Sequence, residues 1–185
     1  MRLFSEQGFR GASVAQIEAA AGLTPGAGGL YHHFRSKEDV LAFGVRRQLE
    51  RVEALRDIRR VIGDLGDLRA ELSVTARYFL AELDSQSELL RIIVTETRRR
   101  PDLLTEAVDQ LISSTFRGFA DWLRETAGRE LGEDRASAIA TLALGSLLSS
   151  RLLRGVIGVD VAGIDDDTLV PAWVDMVRLM LIQPA

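Results

Sequence analysis

Apolar residues recur at spacings of three and four over most of the chain, and this periodicity predicts helices. The longest regular series follows Ser36 and predicts a helix over 37–62. Its apolar positions are Leu41, Val45, Leu49, Val52, Leu55, Ile58 and Ile62. The same spacing predicts further helices over 67–83, 86–99, 102–127, 136–157 and 168–182. No alternating strand pattern interrupts them, so the sequence predicts an all-α fold.

Shorter helices with their own start signals precede this series. Residues 1–7 indicate the end of a helix that Gly8 closes, because glycine favours the turn beyond a helix. Ser13 lies three residues before Gln16, and this capping-box spacing predicts a helix over 13–20. The N-terminal region is therefore expected to contain short helices separated by turns.

A further short helix is predicted over about 26–33. Thr24 is a good N-cap, and Pro25 loses nothing in a first turn, where its missing N–H would have no helical partner. Glycine costs about 1 kcal/mol relative to alanine inside a helix, so the glycine-rich start is expected to be frayed. Ser36 then caps the next helix. Short helices joined by such a turn have the layout of a helix-turn-helix.

The run LFSEQGFRGASVAQIEAAAGLTPGAGGLYHHFRSKEDVL resembles the DNA-binding region of the tetracycline-repressor (TetR) family. The shared features are a Gly-Phe pair after the first helix, an Ala-Gly turn, a Leu-Tyr-x-His-Phe block and Ser-Lys-Glu, within about the first 45 residues. In two respects the chain departs from the family. The first helix of the family has further turns upstream of Met1, so a truncated first helix is expected here. The TPGAGG segment is about two residues longer than the usual spacing.

The resemblance implies a helix-turn-helix head over 1–44 and a larger helical body over 45–185 that binds an effector and forms a homodimer. It also implies a ligand-responsive transcriptional regulator in the cytoplasm, more a repressor than an activator. Such a regulator binds a pseudo-palindromic operator in double-stranded DNA and is released by a small molecule. The alternative is a helical dimer that binds a small apolar ligand without transcriptional control, which the short first helix and the glycine-rich reading helix favour.

Several residues of the head are expected to contact DNA. The resemblance carries Tyr31 and His33 over as contacts to the DNA backbone and Lys37 as a phosphate ligand. Because the glycines replace base-reading side chains, sequence choice is expected to depend on Thr24, His32 and groove shape. The full predicted set is Ser13, Thr24, Gly28, Tyr31, His32, His33 and Lys37.

The body offers an aromatic and aliphatic stripe that is consistent with an effector pocket or with plain core. The predicted pocket residues are Phe79, Ile93, Thr97, Phe116, Phe119 and Trp122. Glu96, followed by three arginines, is expected to lie on a solvated face at a helix end.

The segment 136–157 is apolar nearly all the way round, so it should be buried. Its uncharged run is too short for a membrane span, which needs about 20 residues. A partner helix from a second subunit is the expected cover, together with the helix over 168–182. The predicted interface residues are Leu144, Leu148, Leu152, Trp173 and Val177.

Composition narrows the chemistry further. The net charge of −4 hides an uneven distribution, because residues 1–60 hold 10 Arg and Lys against 7 Asp and Glu. A mildly basic end on an acidic body suits a protein that touches phosphates at one end. The chain has no cysteine and only His32 and His33 as histidines, so no metal site, cofactor or catalytic triad is expected, and no enzymatic activity.

Overall fold

The computed structural model describes residues 1–62, 66–127, 131–160 and 163–182, without the side chains of 51–62, 111 and 127. All regular elements in these ranges are helical, which confirms the predicted all-α fold. The α-helices are α1 (Arg2–Gly11), α2 (Val14–Ala20), α3 (Lys37–Ile62), α4 (Leu68–Ser85), α5 (Ser87–Glu96), α6 (Pro101–Val108), α7 (Ser114–Ala127), α8 (Glu133–Leu152) and α9 (Asp166–Ile182). A 3₁₀ helix covers Gly29–His32, and π-helical turns cover Asp109–Ser113 and Leu153–Ile157.

The long predicted helices occur close to their expected bounds, with one division. The predicted helix over 102–127 is split into α6, a π-helical turn and α7. Pro101 follows the end of α5 and is also the first helical residue of α6. Its missing N–H has no helical partner there, so proline is well tolerated.

The reading helix predicted over 26–33 is wrong in both length and type. Only Gly29–His32 is helical, and it forms a 3₁₀ turn. Thr24 does not cap a helix, because the N-cap position of this short helix is Gly28. The carbonyl of Thr24 instead accepts from Ala27 N (3.2 Å) in a turn. Gly26 (φ 77°) and Gly28 (φ 76°) have left-handed backbones that a right-handed helix cannot contain.

The chain divides into two compact units. The first comprises Met1–Ala54 with Glu88–Gln110, and the second comprises Leu55–Ser87 with Leu111–Ala185. The sequence did not indicate that Glu88–Gln110 would group with the N-terminal residues. The functional boundary at residue 44 remains a prediction.

The core of the second unit is formed by α4, α7, α8 and α9. Phe119 is fully buried there, with its ring 5.5 Å from that of Trp122 and 6.1 Å from that of Trp173. Trp173 Nε1 donates to Ala143 O (2.8 Å), which satisfies its one polar atom. This cluster joins the last two helices to the rest of the unit.

Three of the predicted interface residues belong to that core, which corrects the prediction. Leu144, Trp173 and Val177 are at most 3% exposed within a single chain, so a partner subunit cannot contact them. Leu148 and Leu152 are half-buried. Apolar helix faces have the same sequence pattern whether they pack on their own chain or on another, which is why the assignment was wrong.

Glu133–Ile157 is long and apolar enough, at a mean hydropathy of 1.4, to cross a membrane on length and composition alone. It is the only such helix in the described ranges. α8 packs against α4, α7 and α9, and its inner face lies in the core. A core helix passes the same test of length and hydropathy.

An ion-pair network around the buried Arg151 connects three helices of the second unit. Arg151 on α8 is 8% exposed and contacts Asp84 of α4 (Nε to Oδ1, 2.8 Å) and Asp166 of α9 (NH2 to Oδ2, 2.7 Å). Burial lowers the pKa of Arg151, but hydrogen bonds to Asp166 and Asp84 outweigh this desolvation and hold the pKa above its ordinary value. The guanidinium therefore stays charged and orients α8 against its neighbours.

Candidate nucleic-acid interface

A kinked first helix supports the head. Gly8 interrupts α1 with φ 68° and ψ 169°, a backbone that favours glycine, as the sequence predicted for the helix end. The kink lets Phe4 and Phe9 stack at 5.8 Å, and both are buried. The N–H of Phe9 that the kink releases donates to Glu96 Oε1 (3.2 Å).

Glu96 is thus buried, which corrects its predicted place on a solvated face. It is 4% exposed, and its carboxylate accepts a hydrogen bond from the Phe9 N–H at the kink. Arg100 lies over the Phe9 ring (Cζ 3.5 Å from the centroid) and pairs with Glu38 at 3.2 Å. Glu96 and Arg100, at and just beyond the end of α5, therefore contact α1 and α3. Local sequence patterns do not indicate these contacts.

The capping box that opens α2 is confirmed. Gln16 N donates to Ser13 Oγ (3.2 Å), and Ser13 N donates to Gln16 Oε1 (2.8 Å). Ser36 Oγ likewise accepts from Asp39 N (3.1 Å) at the start of α3. The helices on either side of residues 21–36, here called the reading segment, thus have fixed starts.

The segment between α2 and α3 presents most of the predicted DNA-binding residues. Thr24, Tyr31, His32 and His33 are exposed, Tyr31 by 54%, whereas Gly28 is half-buried. Leu30 is buried and holds the 3₁₀ helix to the head. Exposed hydroxyl and imidazole groups in one short segment can donate hydrogen bonds to phosphates.

Glu18 is a site residue that the sequence reasoning missed. Its carboxylate is fully buried beneath the reading segment, where Oε2 accepts from Gly26 N (2.6 Å) and Oε1 from Leu30 N (3.1 Å). One signal was available, because a single acidic residue interrupts the apolar IEAAA run of α2.

Lys37 has a partner inside the head. Its Nζ donates to Ala12 O (2.6 Å) and lies 4.4 Å from the centroid of the Phe9 ring. These contacts explain a cation in the first turn of α3, where the helix dipole disfavours positive charge. A phosphate is therefore not needed to account for it, and the role of phosphate ligand remains a proposal.

The first unit also contains an open cavity of about 540 Å³. Its lining includes Leu3, Phe4, Ile17, Ala20, Ala21 and Val40. None of the predicted effector residues lines it. Within the described ranges, no group of three or more His, Cys, Asp and Glu residues could hold a metal ion.

The predicted effector residues are divided between the two units. Ile93, which is buried, and Thr97, which is half-buried, belong to the first unit. The others belong to the second, where Phe119 is core and Phe79, Phe116 and Trp122 are partly buried against that core. Of the two interpretations of the aromatic and aliphatic stripe, effector pocket or plain core, plain core therefore applies to Phe119.

A capped helix, a glycine turn, a short reading helix and a long third helix define a helix-turn-helix protein. The family described as "Bacterial regulatory proteins, tetR family" matches residues 1–42. Over residues 1–42 the chain is therefore similar to this family.

Two known proteins are similar to this chain. The HTH-type transcriptional repressor Rv1474c of Mycobacterium tuberculosis is 35% identical over 69 residues, and the match covers 37% of this chain and 36% of that protein. The match thus spans about a third of the relative. The fatty acid degradation regulator FadR from Bacillus halodurans shares the fold, with a TM-score of 0.67 at 20% identity over 98% of this chain and 90% of that one.

Proposed function

We propose that this protein is a cytoplasmic transcriptional regulator that binds double-stranded DNA as a homodimer and acts as a repressor released by a small molecule. The observation that carries this proposal is the head, in which Thr24, Tyr31, His32 and His33 are exposed on a segment held between two capped helices. The mildly basic N-terminal third on an acidic chain supports the same role. Two heads related by a two-fold axis require a pseudo-palindromic site.

Within this proposal the reading segment enters the major groove. Tyr31 and His33 bind the DNA backbone, and Thr24 and His32 face base edges, with Ser13 and Gly28 close to the phosphates. Pro25 to Gly29 carry no side chain that can hydrogen-bond a base. Groove width and deformability therefore contribute more to sequence choice than in a head with polar side chains at these positions.

A binding titration tests this function directly. Fluorescence anisotropy with mixed-sequence duplexes between about 50 and 200 mM salt should show log Kobs falling linearly with log salt, since bound cations release counterions from phosphates. Negligible affinity at moderate salt would favour the alternative, a ligand-binding helical dimer without transcriptional control. The glycine-rich reading segment is the feature that favours this alternative.

Lys37→Ala is expected to weaken binding to all sequences and to lower the salt slope by about one per head, because one cation leaves the interface. The variant also loses the bond to Ala12 O, so Lys37→Arg serves as the control that keeps a positive charge. A slope that does not change in Lys37→Ala would restrict Lys37 to its contacts within the head.

The dimer is proposed to form on the outward faces of α8 and α9. Leu142 (62% exposed), Leu179 (61%) and Ile182 (72%) are large apolar side chains in contact with water. Leu148 and Leu152, which are half-buried, add to the apolar surface of α8. Covering these residues with a second copy removes apolar area from water, which favours association.

Leu142→Lys is expected to shift the protein toward monomer by at least about tenfold in dissociation constant, since an uncompensated ammonium would enter the apolar contact. Sedimentation equilibrium measures this shift, and Leu144→Met, a volume-conserving change in the core, is the control. Unchanged association of Leu142→Lys would place the interface elsewhere.

The effector is proposed to be a small apolar molecule that contacts the partly buried Phe79, Phe116 and Trp122 of the second unit. Aromatic side chains with little polar surface suit apolar ligands. Binding regulates DNA affinity only if the effector binds the two dimer geometries with different affinities.

A further inference from the structure

Glu18 places a carboxylate in the interior of the head, where a charge must be compensated. It is fully buried on α2, and both of its oxygens accept backbone hydrogen bonds. Removing an ion from water is unfavourable unless hydrogen bonds replace the lost hydration. Bonds to an ionised acceptor are about twice as strong as neutral ones, and the bond from Gly26 N is short at 2.6 Å.

The two amides that Glu18 binds lie at different places in the reading segment. Gly26 N lies in the turn that follows Thr24, and Leu30 N lies inside the 3₁₀ helix that carries Tyr31 and His32. One carboxylate therefore fixes the distance between the turn and the 3₁₀ helix.

The segment needs such a restraint because its composition gives it little order of its own. Gly26 and Gly28 have positive φ angles, and neither would meet another heavy atom within 4 Å if it carried a Cβ. Glycine loses more conformational freedom on ordering than any other residue. A segment that must order on contact with DNA binds more weakly than one already held in place.

We propose that Glu18 is a positioning residue for DNA recognition. It holds residues 24–32 in one conformation in the absence of DNA and so sets sequence-specific affinity without touching DNA. The inference rests on the proposed function, because the segment must be the one that reads DNA. It also revises the expectation of a frayed start, since the tether replaces the order that the glycines remove.

Glu18→Gln is the most direct test because it preserves the size of the side chain. Glutamine offers one carbonyl acceptor, and its NH2 group cannot accept, so one of the two amides loses its partner. The backbone bond from Leu23 N to Glu18 O (2.8 Å) does not depend on the side chain, so the end of α2 is retained. Glu6→Gln, an identical charge change at an exposed position of α1, is the matched control.

Two measurements are made on wild type and variants. Hydrogen exchange of the DNA-free protein should show faster exchange at Gly26 N or Leu30 N in Glu18→Gln, with the amides of α2 unchanged. Affinity is then measured for the duplex that wild type enriches from a random pool and for a scrambled duplex. Glu18→Gln should lose at least about tenfold for the enriched duplex, with the scrambled duplex and the salt slope unchanged.

Equal affinity of Glu18→Gln and wild type for the enriched duplex would overturn the inference. So would a parallel loss for both duplexes with faster exchange throughout α2, which would make Glu18 a residue of general stability. If Glu18→Gln does not fold, Glu18→Asp keeps the charge but is too short to reach both amides, and the same outcomes apply. If wild type enriches no duplex, the proposed function itself fails, whereas the exchange data still decide whether the tether exists.

Discussion

Tyr31→Phe is expected to weaken binding of the dimer to its enriched duplex by about a hundredfold, because each head loses one hydrogen bond to a charged phosphate oxygen. Such a bond contributes about 1.5–3 kcal/mol, and about 1.4 kcal/mol corresponds to a factor of ten. The phenol is 54% exposed in the free protein, so its removal should leave stability almost unchanged. Fluorescence anisotropy at constant salt measures the loss.

Tyr78→Phe makes the same chemical change in the second unit and is the matched control. Its affinity for the enriched duplex should equal that of wild type. If Tyr31→Phe also binds like wild type, the hydroxyl does not contact the phosphate and the assignment of this residue is wrong.

Phe119→Ala is expected to lower the free energy of unfolding by about 3–5 kcal/mol. Phe119 is fully buried between Trp122 and Trp173, so truncation both removes apolar contact and leaves a cavity that two large rings cannot easily close. Since a small domain is stable by only about 5–15 kcal/mol, much of this unit's stability depends on one side chain. Urea denaturation followed by tryptophan fluorescence measures the loss.

Leu179→Ala is the comparison for Phe119→Ala, because Leu179 is 61% exposed and belongs to α9 of the same unit. In the monomer its truncation should change stability by less than about 0.5 kcal/mol, as is usual for surface positions. A cost of less than about 1 kcal/mol for Phe119→Ala would contradict the core interpretation.

Sequence patterns predicted most accurately the elements whose signals are local. The capping box of Ser13 and Gln16 occurs with both of its hydrogen bonds, and α3 has the bounds that its apolar period predicted. In these cases the start or the apolar face of a helix depends on residues within a turn or two of each other. A short stretch of sequence is therefore enough to predict it. The all-α class follows from the same periodicity.

The errors arise where partners are distant in sequence or where identical patterns have two outcomes. Glu96 meets Phe9 across 87 residues, which no local pattern indicates. Leu144 and Trp173 have the apolar spacing of an interface but fill the core of a single chain. The reading helix predicted over 26–33 was wrong for a third reason. Two glycines with positive φ angles lie where its first turn was expected.

The candidate site was predicted as a set of exposed residues rather than as a geometry. Thr24, Tyr31 and His32 are exposed, as contact with DNA requires, but their contacts with DNA remain predictions. The buried support from Glu18 was not anticipated, because it arises from a carboxylate that bonds to backbone and not to another side chain.

Selection of bound duplexes from a random DNA pool tests the central claim most directly. A dimeric regulator with two helix-turn-helix heads should enrich a two-fold-symmetric motif whose half-sites lie about one helical turn apart, or a multiple of that. Recovery of no motif, together with negligible affinity at moderate salt, would contradict the assignment as a DNA-binding regulator.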